Sequence, residues 1–262
     1  MQRWLRATAL MLMMASGLAA DLDREKAVAE KITKNLKEGE AVWLEAEGGQ
    51  FFGVFSKGTA DKSKGAALLL HDLGGNPDEP GIISALRSQF SRGGWTTLSI
   101  QLPLLVPDAA QAAYGATLEE GKKRIAAGVN YLKGQGKLPI VLIGDGFGAA
   151  LGLLWTASDE KPPVAGLAGV SLRDLDGVEP PQQLLEALGK MTLPLLDIFG
   201  GLDGEALYRS AKRAEAARKA KKPSYTQIKV EGADRDFTGM DDILAKRVRG
   251  WAEKVLKGAS VP

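Results

Sequence analysis

A short apolar strand that runs into a glycine-rich turn constrains this sequence more than any other feature. Residues 140–151 read Ile-Val-Leu-Ile-Gly-Asp-Gly-Phe-Gly-Ala-Ala-Leu. Four apolar residues, three of them β-branched, predict a buried strand, and the small residues after the turn predict the start of a helix. This layout is typical of a nucleophile elbow, in which G-x-S-x-G forms a sharp strand-to-helix turn.

The turn keeps the outer glycines of that motif but lacks its nucleophile. Gly144 and Gly148 occupy the outer positions, and Gly146 stands where the nucleophile belongs. The two positions between them hold Asp145 and Phe147. Glycine has no side chain and cannot attack a substrate. The sequence therefore predicts a fold more firmly than a reaction.

The composition is that of an ordinary globular protein. The chain has 262 residues, of which 45% are hydrophobic and 25% charged, with one histidine and no cysteine. This length suffices for one large α/β domain with a sizeable core. The lack of cysteine excludes disulfides, thiol nucleophiles and cysteine metal sites. We expect no cofactor.

The first 20 residues have the pattern of an export signal. Arg3 and Arg6 precede an apolar run, residues 7–15, and small residues follow. We predict cleavage near Ala19 or Ala20 and a periplasmic mature protein, with an uncleaved membrane anchor as the alternative. The chain has 34 basic and 32 acidic residues, and removal of the two arginines leaves 32 of each. Overall charge therefore does not favour a nucleic acid partner.

Residues 21–262 alternate between helix and strand signals after an opening hairpin. We predict strands at 41–46, 51–56, 66–70, 95–101, 140–143, 164–172, 193–199 and 225–230. We predict helices at 21–37, 82–92, 118–133, 146–155, 180–188, 205–222 and 240–256. This order predicts a single α/β domain with a mostly parallel eight-stranded sheet and helices on both faces.

The third predicted strand leads into a loop that reads His-Asp-Leu-Gly-Gly from position 71. Such a loop is typical of an oxyanion hole, where glycines let backbone N–H groups approach a developing negative charge. Its candidate site residues are His71, Asp72, Gly74 and Gly75. A metal site that adds Asp78 and Glu79 is the alternative, but one histidine with carboxylates of a single loop is a weak ligand set. We expect no metal and hydrogen bonds from His71 within the loop.

These features together resemble the α/β-hydrolase fold over nearly the whole mature chain. The similarity is strongest to a family of exported α/β-hydrolase-like proteins of Gram-negative bacteria, a domain of unknown function. Residues 68–81, 94–103 and 144–148 carry the resemblance. It rests on the order and spacing of these segments, because no one of them is highly specific.

The resemblance implies a catalytic triad in the chain order nucleophile, acid, base. Its acid position holds Asp203, which follows the strand that ends near residue 199. The base belongs in Gly-Ala-x-His-x-Phe, and residues 232–237 place Arg235 there. Arginine stays protonated and cannot act as a general base. With Gly146 at the nucleophile position, we predict a degenerate triad and a non-catalytic protein that binds a ligand or a partner.

An esterase-like hydrolase with a rearranged site is the alternative function. Asp145, Asp203 or His71 would then carry the chemistry. An Asp145 nucleophile would place Ile143 and Phe147 where the elbow needs small residues, which disfavours it. Arg235 could instead pair with Asp203 above the carboxyl-terminal edge of the sheet.

The partner is left open by the sequence, with a small ligand or a periplasmic protein as candidates. The protein could instead carry an apolar or anionic ligand in a pocket. The oxyanion loop, Phe147 and residues 104–106 would line that pocket. The basic segment from Arg209 to Lys222 predicts a solvated helix face, with weak contact to an anionic surface as the alternative. No aromatic residues interleave with its charges, which argues against binding of single-stranded nucleic acid.

Overall fold

The computed structural model describes residues 20–59, 63–178, 184–222 and 224–259. The predicted export signal, except for Ala20, and the predicted helix start at Pro180 lie outside these residues. The strands are β1 (Glu40–Ala46), β2 (Gly49–Ser56), β3 (Ala66–Leu70), β4 (Thr96–Ile100), β5 (Ile140–Asp145), β6 (Gly166–Val170), β7 (Leu195–Gly200) and β8 (Tyr225–Val230). The helices are α1 (Leu22–Asn35), α2 (Ile82–Arg92), α3 (Leu118–Gly134), α4 (Gly146–Ala157), α5 (Leu184–Lys190), α6 (Gly204–Lys219) and α7 (Asp241–Ala259), and a 3₁₀ helix spans Gln111–Thr117.

The eight strands form one sheet in the order β1-β2-β4-β3-β5-β6-β7-β8. β2 is antiparallel to both β1 and β4, and every other neighbouring pair is parallel. From β3 to β8, each connection between consecutive strands carries a helix back over the sheet. The predicted α/β-hydrolase-like fold with a mostly parallel eight-stranded sheet is therefore confirmed.

Helices cover both faces of the sheet because its central strands are apolar on both sides. On β3, Leu68 belongs to the core with α3, α4 and α5, whereas Leu69 belongs to the core with α2 and α7. All five residues of β3 are buried, as the continuous apolar run predicts. A smaller cluster joins Ala29 and Ile32 of α1 to Phe52 and Val54 of β2.

The parallel strands end at a common edge, and the loops that follow them carry the candidate site residues. His71 follows β3, Gly146 follows β5, and Asp203 and Arg235 follow β7 and β8. This edge is where open α/β sheets bind ligands. Within the described part of the chain, no helix is both long and apolar enough to cross a membrane.

Candidate functional site

The elbow turn needs its outer glycines because the backbone approaches closely there. A Cβ atom on Gly144 would lie 2.4 Å from the backbone nitrogen of Ala149. A Cβ atom on Gly148 would lie 2.4 Å from the carbonyl oxygen of Leu70, at the end of β3. Gly146 at the apex has a φ angle of +49°, in the left-handed region that favours glycine. The chain thus forms a sharp strand-to-helix turn with glycine at its apex.

The space that a nucleophile side chain would occupy is filled by an ion pair. A Cβ atom on Gly146 would lie 2.3 Å from Oδ1 of Asp72 and 2.6 Å from Nη2 of Arg235. These two side chains form a salt bridge directly over the apex. A larger residue at position 146 would have to displace both of them.

Asp72 gathers donors from three separate parts of the chain. Its Oδ1 accepts a hydrogen bond of 2.6 Å from the backbone N–H of Phe147, at the start of α4. Its Oδ2 accepts from Arg235 and, at 3.0 Å, from Nη2 of Arg173. The N–H of the residue after the nucleophile is an oxyanion donor in hydrolases of this fold. Here the carboxylate of Asp72 accepts the hydrogen bond from that N–H.

Arg235 pairs with residues other than the predicted acid. Its Nη1 lies 3.0 Å from Oδ1 of Asp145, and its Nη2 contacts Asp72. Asp203 instead caps α6, where its Oδ1 accepts a hydrogen bond of 3.0 Å from the N–H of Ala206. The expected pair between Arg235 and Asp203 is therefore wrong. A carboxylate at a helix start satisfies an N–H group that lacks an intrahelical partner, which explains its position.

The two carboxylates of the cluster have opposite pKa shifts. Burial raises the pKa of Asp145 to about 7, although Arg235 opposes the shift. Burial also favours the neutral form of Asp72, but the Arg235 and Arg173 guanidinium groups outweigh it and lower the pKa. Asp72 is therefore ionised at neutral pH, and the charge of Asp145 changes near neutrality.

The unfolding free energy of Asp145→Asn, relative to that of the wild type, is expected to increase as pH rises from 5 to 7.5. Because burial raises the folded-state pKa of Asp145 above its ordinary 3.8, ionisation penalises the folded state, and the penalty grows as pH approaches about 7. The difference in unfolding free energy should grow by at most about 1.4 kcal/mol per pH unit. Urea unfolding measures it. A difference for Asp145→Asn that stays flat over this range would contradict the assignment.

His71 is buried, and both of its ring nitrogens take part in hydrogen bonds. Its Nδ1 lies 2.7 Å from the carbonyl oxygen of Asp72, and its Nε2 accepts a hydrogen bond of 2.9 Å from the N–H of Leu102. Because that N–H can only donate, the proton resides on Nδ1. Burial lowers the pKa of His71 to about 4, so the ring is neutral. The expected hydrogen bond within the loop is present, and a second one links the loop to the chain after β4.

Both ring nitrogens of His71 are thus engaged, which leaves neither free for a metal. Asp78, which the sequence suggested as a further metal ligand, forms an ion pair with Arg87 on α2. Within the described residues, no group of three or more histidine, aspartate or glutamate side chains is arranged to hold a metal ion. In the same loop Gly75 donates its N–H to the carbonyl oxygen of Asp72 at 3.1 Å, and Gly74 has a φ angle of +69°.

A cleft of about 480 Å³ opens beside the ion-pair cluster. Its charged lining residues are Asp72, Glu79, Asp145, Arg235, Asp236 and Asp241. Burial and the negative charge of Asp72 raise the pKa of Glu79. The charged groups that line the cleft are thus five carboxyl groups and one guanidinium.

Several side chains of the apolar carrier pocket that the sequence suggested are buried in the described structure. Phe147 is buried and packs against Tyr114, with 5.5 Å between the ring centroids. Leu104 and Leu105 are buried as well, and Leu105 shares the apolar core with Phe147. These three side chains therefore belong to the interior of the protein.

The basic segment on α6 is only partly a solvated face, because Arg213 is 1% exposed. Its Nε lies 2.8 Å from Oδ2 of Asp197, in the middle of β7. The same carboxylate accepts hydrogen bonds from Tyr225 and Gln227 of β8. Arg209 is paired too, at 2.7 Å from Asp174. These contacts reduce the positive charge available to an anionic surface.

Sequence comparison connects this chain to one family. A family model described as a protein of unknown function (DUF3530) matches residues 13–116 and 106–254. A search of curated proteins found no match.

Solved structures of low sequence identity share the fold. Est1E from Butyrivibrio proteoclasticus is 14% identical, with a TM-score of 0.66 over 84% of this chain and 100% of that one. Dienelactone hydrolase from Anabaena variabilis is 18% identical, with a TM-score of 0.66 over 82% of this chain and 96% of that one. An α/β serine hydrolase without lid from Xanthomonas campestris is 16% identical, with a TM-score of 0.59 over 83% and 95%. At these identities the likeness shows the fold alone.

Proposed function

Since this chain belongs to the DUF3530 family of proteins of unknown function, we propose that it is an exported α/β-hydrolase-fold protein that acts by binding, not by hydrolysis. The solved structures that share the fold include Est1E and a dienelactone hydrolase. Function depends on the site, and the site of this chain has glycine at the nucleophile position and arginine at the base position.

The observation that carries the proposal is the hydrogen bond from the N–H of Phe147 to Asp72. An acyl substrate needs this N–H for its developing oxyanion. The donor is taken by a carboxylate that two arginines also hold, so a substrate oxygen would have to break several charge-assisted contacts. This arrangement therefore supports a structural role for the elbow rather than a catalytic one.

The dimensions and the charge of the adjacent cleft support the binding of a ligand there. Its volume of about 480 Å³ falls within the range of roughly 300–1,000 Å³ that small-molecule sites occupy. Glu79, Asp236 and Asp241 line it without an ion pair to any cation in the described residues. We propose a cationic group as the feature that the cleft selects. The amino-terminal signal pattern supports export of the protein to the periplasm. The ligand or partner would then be a molecule of the periplasm.

The mature protein is expected to show no turnover of 4-nitrophenyl acetate above the background of the buffer, because the elbow has neither nucleophile nor free oxyanion donor. The rate of absorbance change measures this. The matched variant is Asp203→Asn, because asparagine also caps helices and keeps α6 stable while it removes the carboxylate. Saturable turnover in the wild type that disappears in Asp203→Asn would overturn the proposal and favour the rearranged-site esterase.

A further inference from the structure

A second concave site lies at the β8 edge of the sheet, between β8 and α7. The groove has a volume of about 570 Å³. Its lining includes Ile228 of β8 and, from α7, Lys246, Arg247, Gly250, Trp251 and Lys254. Since β8 is the last strand in the sheet order, nothing of the sheet covers this side. Neither the degenerate triad nor the acidic cleft contributes a residue to it.

The groove combines an apolar floor with a positively charged rim. Trp251 and Ile228 belong to the apolar cluster beneath α7. Lys246, Arg247 and Lys254 form no ion pair with any carboxylate in the described residues, although nearby Lys229 pairs with Glu231 at 2.7 Å. No acidic side chain is among the lining residues that the structure describes.

Positive charge at a sheet edge has an ordinary explanation. Lysine side chains there discourage edge-to-edge pairing with other chains. That explanation accounts for cations beside β8, but it does not require a groove with tryptophan in its floor. It also disfavours a second copy of this chain as the occupant, because pairing two such edges would bring the same cations together.

We propose that the groove binds an anionic amphiphile, a molecule with one negatively charged head and one apolar chain. The three unpaired cations would hold the head, and the chain would cover Ile228 and Trp251. Removal of apolar surface from water and a charge-assisted contact would act together. The volume falls within the range of roughly 300–1,000 Å³ seen for small-molecule sites.

Gly250 keeps the groove open and supplies the sharpest test. A Cβ atom on Gly250 would meet no other atom within 4 Å, so a larger residue fits without displacing the protein but projects into the groove. Gly258 on the same helix also has open space at its Cβ position, and it does not line the groove. Because leucine favours helices more than glycine does, neither Gly250→Leu nor Gly258→Leu should unfold α7.

The experiment is calorimetric titration of the mature protein with dodecyl phosphate below its critical micelle concentration. We expect saturable binding with one site per chain. Dodecyl maltoside, which has the same chain without the charge, and inorganic phosphate, which lacks the chain, should each bind at least tenfold more weakly. Gly250→Leu should weaken dodecyl phosphate binding at least tenfold, and Gly258→Leu should bind like the wild type.

A second pair of variants tests the cations. Triple replacement of Lys246, Arg247 and Lys254 by glutamate should also weaken binding at least tenfold. The same replacement of Lys212, Arg218 and Lys221, in the basic segment around α6, should leave it unchanged. Absence of saturable binding in the wild type, an undiminished affinity in Gly250→Leu, or equal losses in the two triple variants would overturn the proposal.

Discussion

Arg235→Leu is expected to lower the free energy of unfolding at pH 7.5 by on the order of 3 kcal/mol, the scale for removal of one partner from a buried ion pair. Arg235 bridges Asp72 and Asp145 and lies mostly out of solvent. Its removal leaves two carboxylates facing each other, with Arg173 as the cation that still contacts Asp72. Urea unfolding of the wild type and the variant measures the loss.

The size of this loss should depend on protonation and on the second carboxylate. At pH 5 the loss should be smaller, because burial raises the pKa of Asp145 to about 7 and the carboxyl is then neutral. Arg235→Leu in an Asp145→Asn background should likewise cost less than in the wild type, which a double-mutant cycle reveals. If the free energies of unfolding of Arg235→Leu and the wild type differed by less than about 0.5 kcal/mol, the cluster would contribute little to stability.

The fold was predictable because its signals are local and agree with one another. β3 and α2 have the predicted boundaries, 66–70 and 82–92, since an apolar run and a glycine pair define them in the sequence. The predicted helix at 205–222 is shorter in the structure and ends at Lys219. Lys221 has a φ angle of +51°, so the chain has already turned there. The basic residues continue past Lys219 without a glycine or proline, so the sequence pattern does not mark the end of the helix.

The contacts of the site were less predictable because they depend on side chains from distant segments. The sequence identified Asp72, Asp145 and Arg235, but not that the arginine bridges both carboxylates. Triad analogy placed Asp203 beside Arg235, whereas capping of α6 competes for that carboxylate. Arg173 was missed, since an arginine after a strand has no distinctive sequence signal.

The buried pair of Asp197 and Arg213 did leave a signal in the sequence. Asp197 interrupts the apolar run Leu-Leu-Asp-Ile-Phe of β7, and a carboxylate inside a buried strand requires a cation. On α6, the buried residues are Ala206, Ser210, Arg213 and Ala217, which follow helical spacing. An arginine on that inward stripe could have been distinguished from the solvated lysines around it.

Gly146→Ser is expected to destabilise the protein by roughly 2–5 kcal/mol and to create no hydrolase. A left-handed φ of +49° costs a residue with a Cβ atom about 1–2 kcal/mol. Overpacking against Asp72, whose Oδ1 lies 2.3 Å from the Cβ position, adds about 1–3 kcal/mol. Gly136→Ser is the matched control, because Gly136 has a φ of +67° and open space at its Cβ position. It should show the backbone cost alone.

The same substitution in an Asp72→Ala background separates steric conflict from backbone strain. Loss of the carboxylate removes the two closest atoms, and the next closest, Nη2 of Arg235, is the end of a flexible side chain that can move. The cost of Gly146→Ser should then fall to about the 1–2 kcal/mol of the left-handed backbone. Equal costs in the two backgrounds would mean that Asp72 does not occupy the nucleophile's space. A reduced cost would identify the Asp72 carboxylate over Gly146 as the group that excludes a side chain from this position.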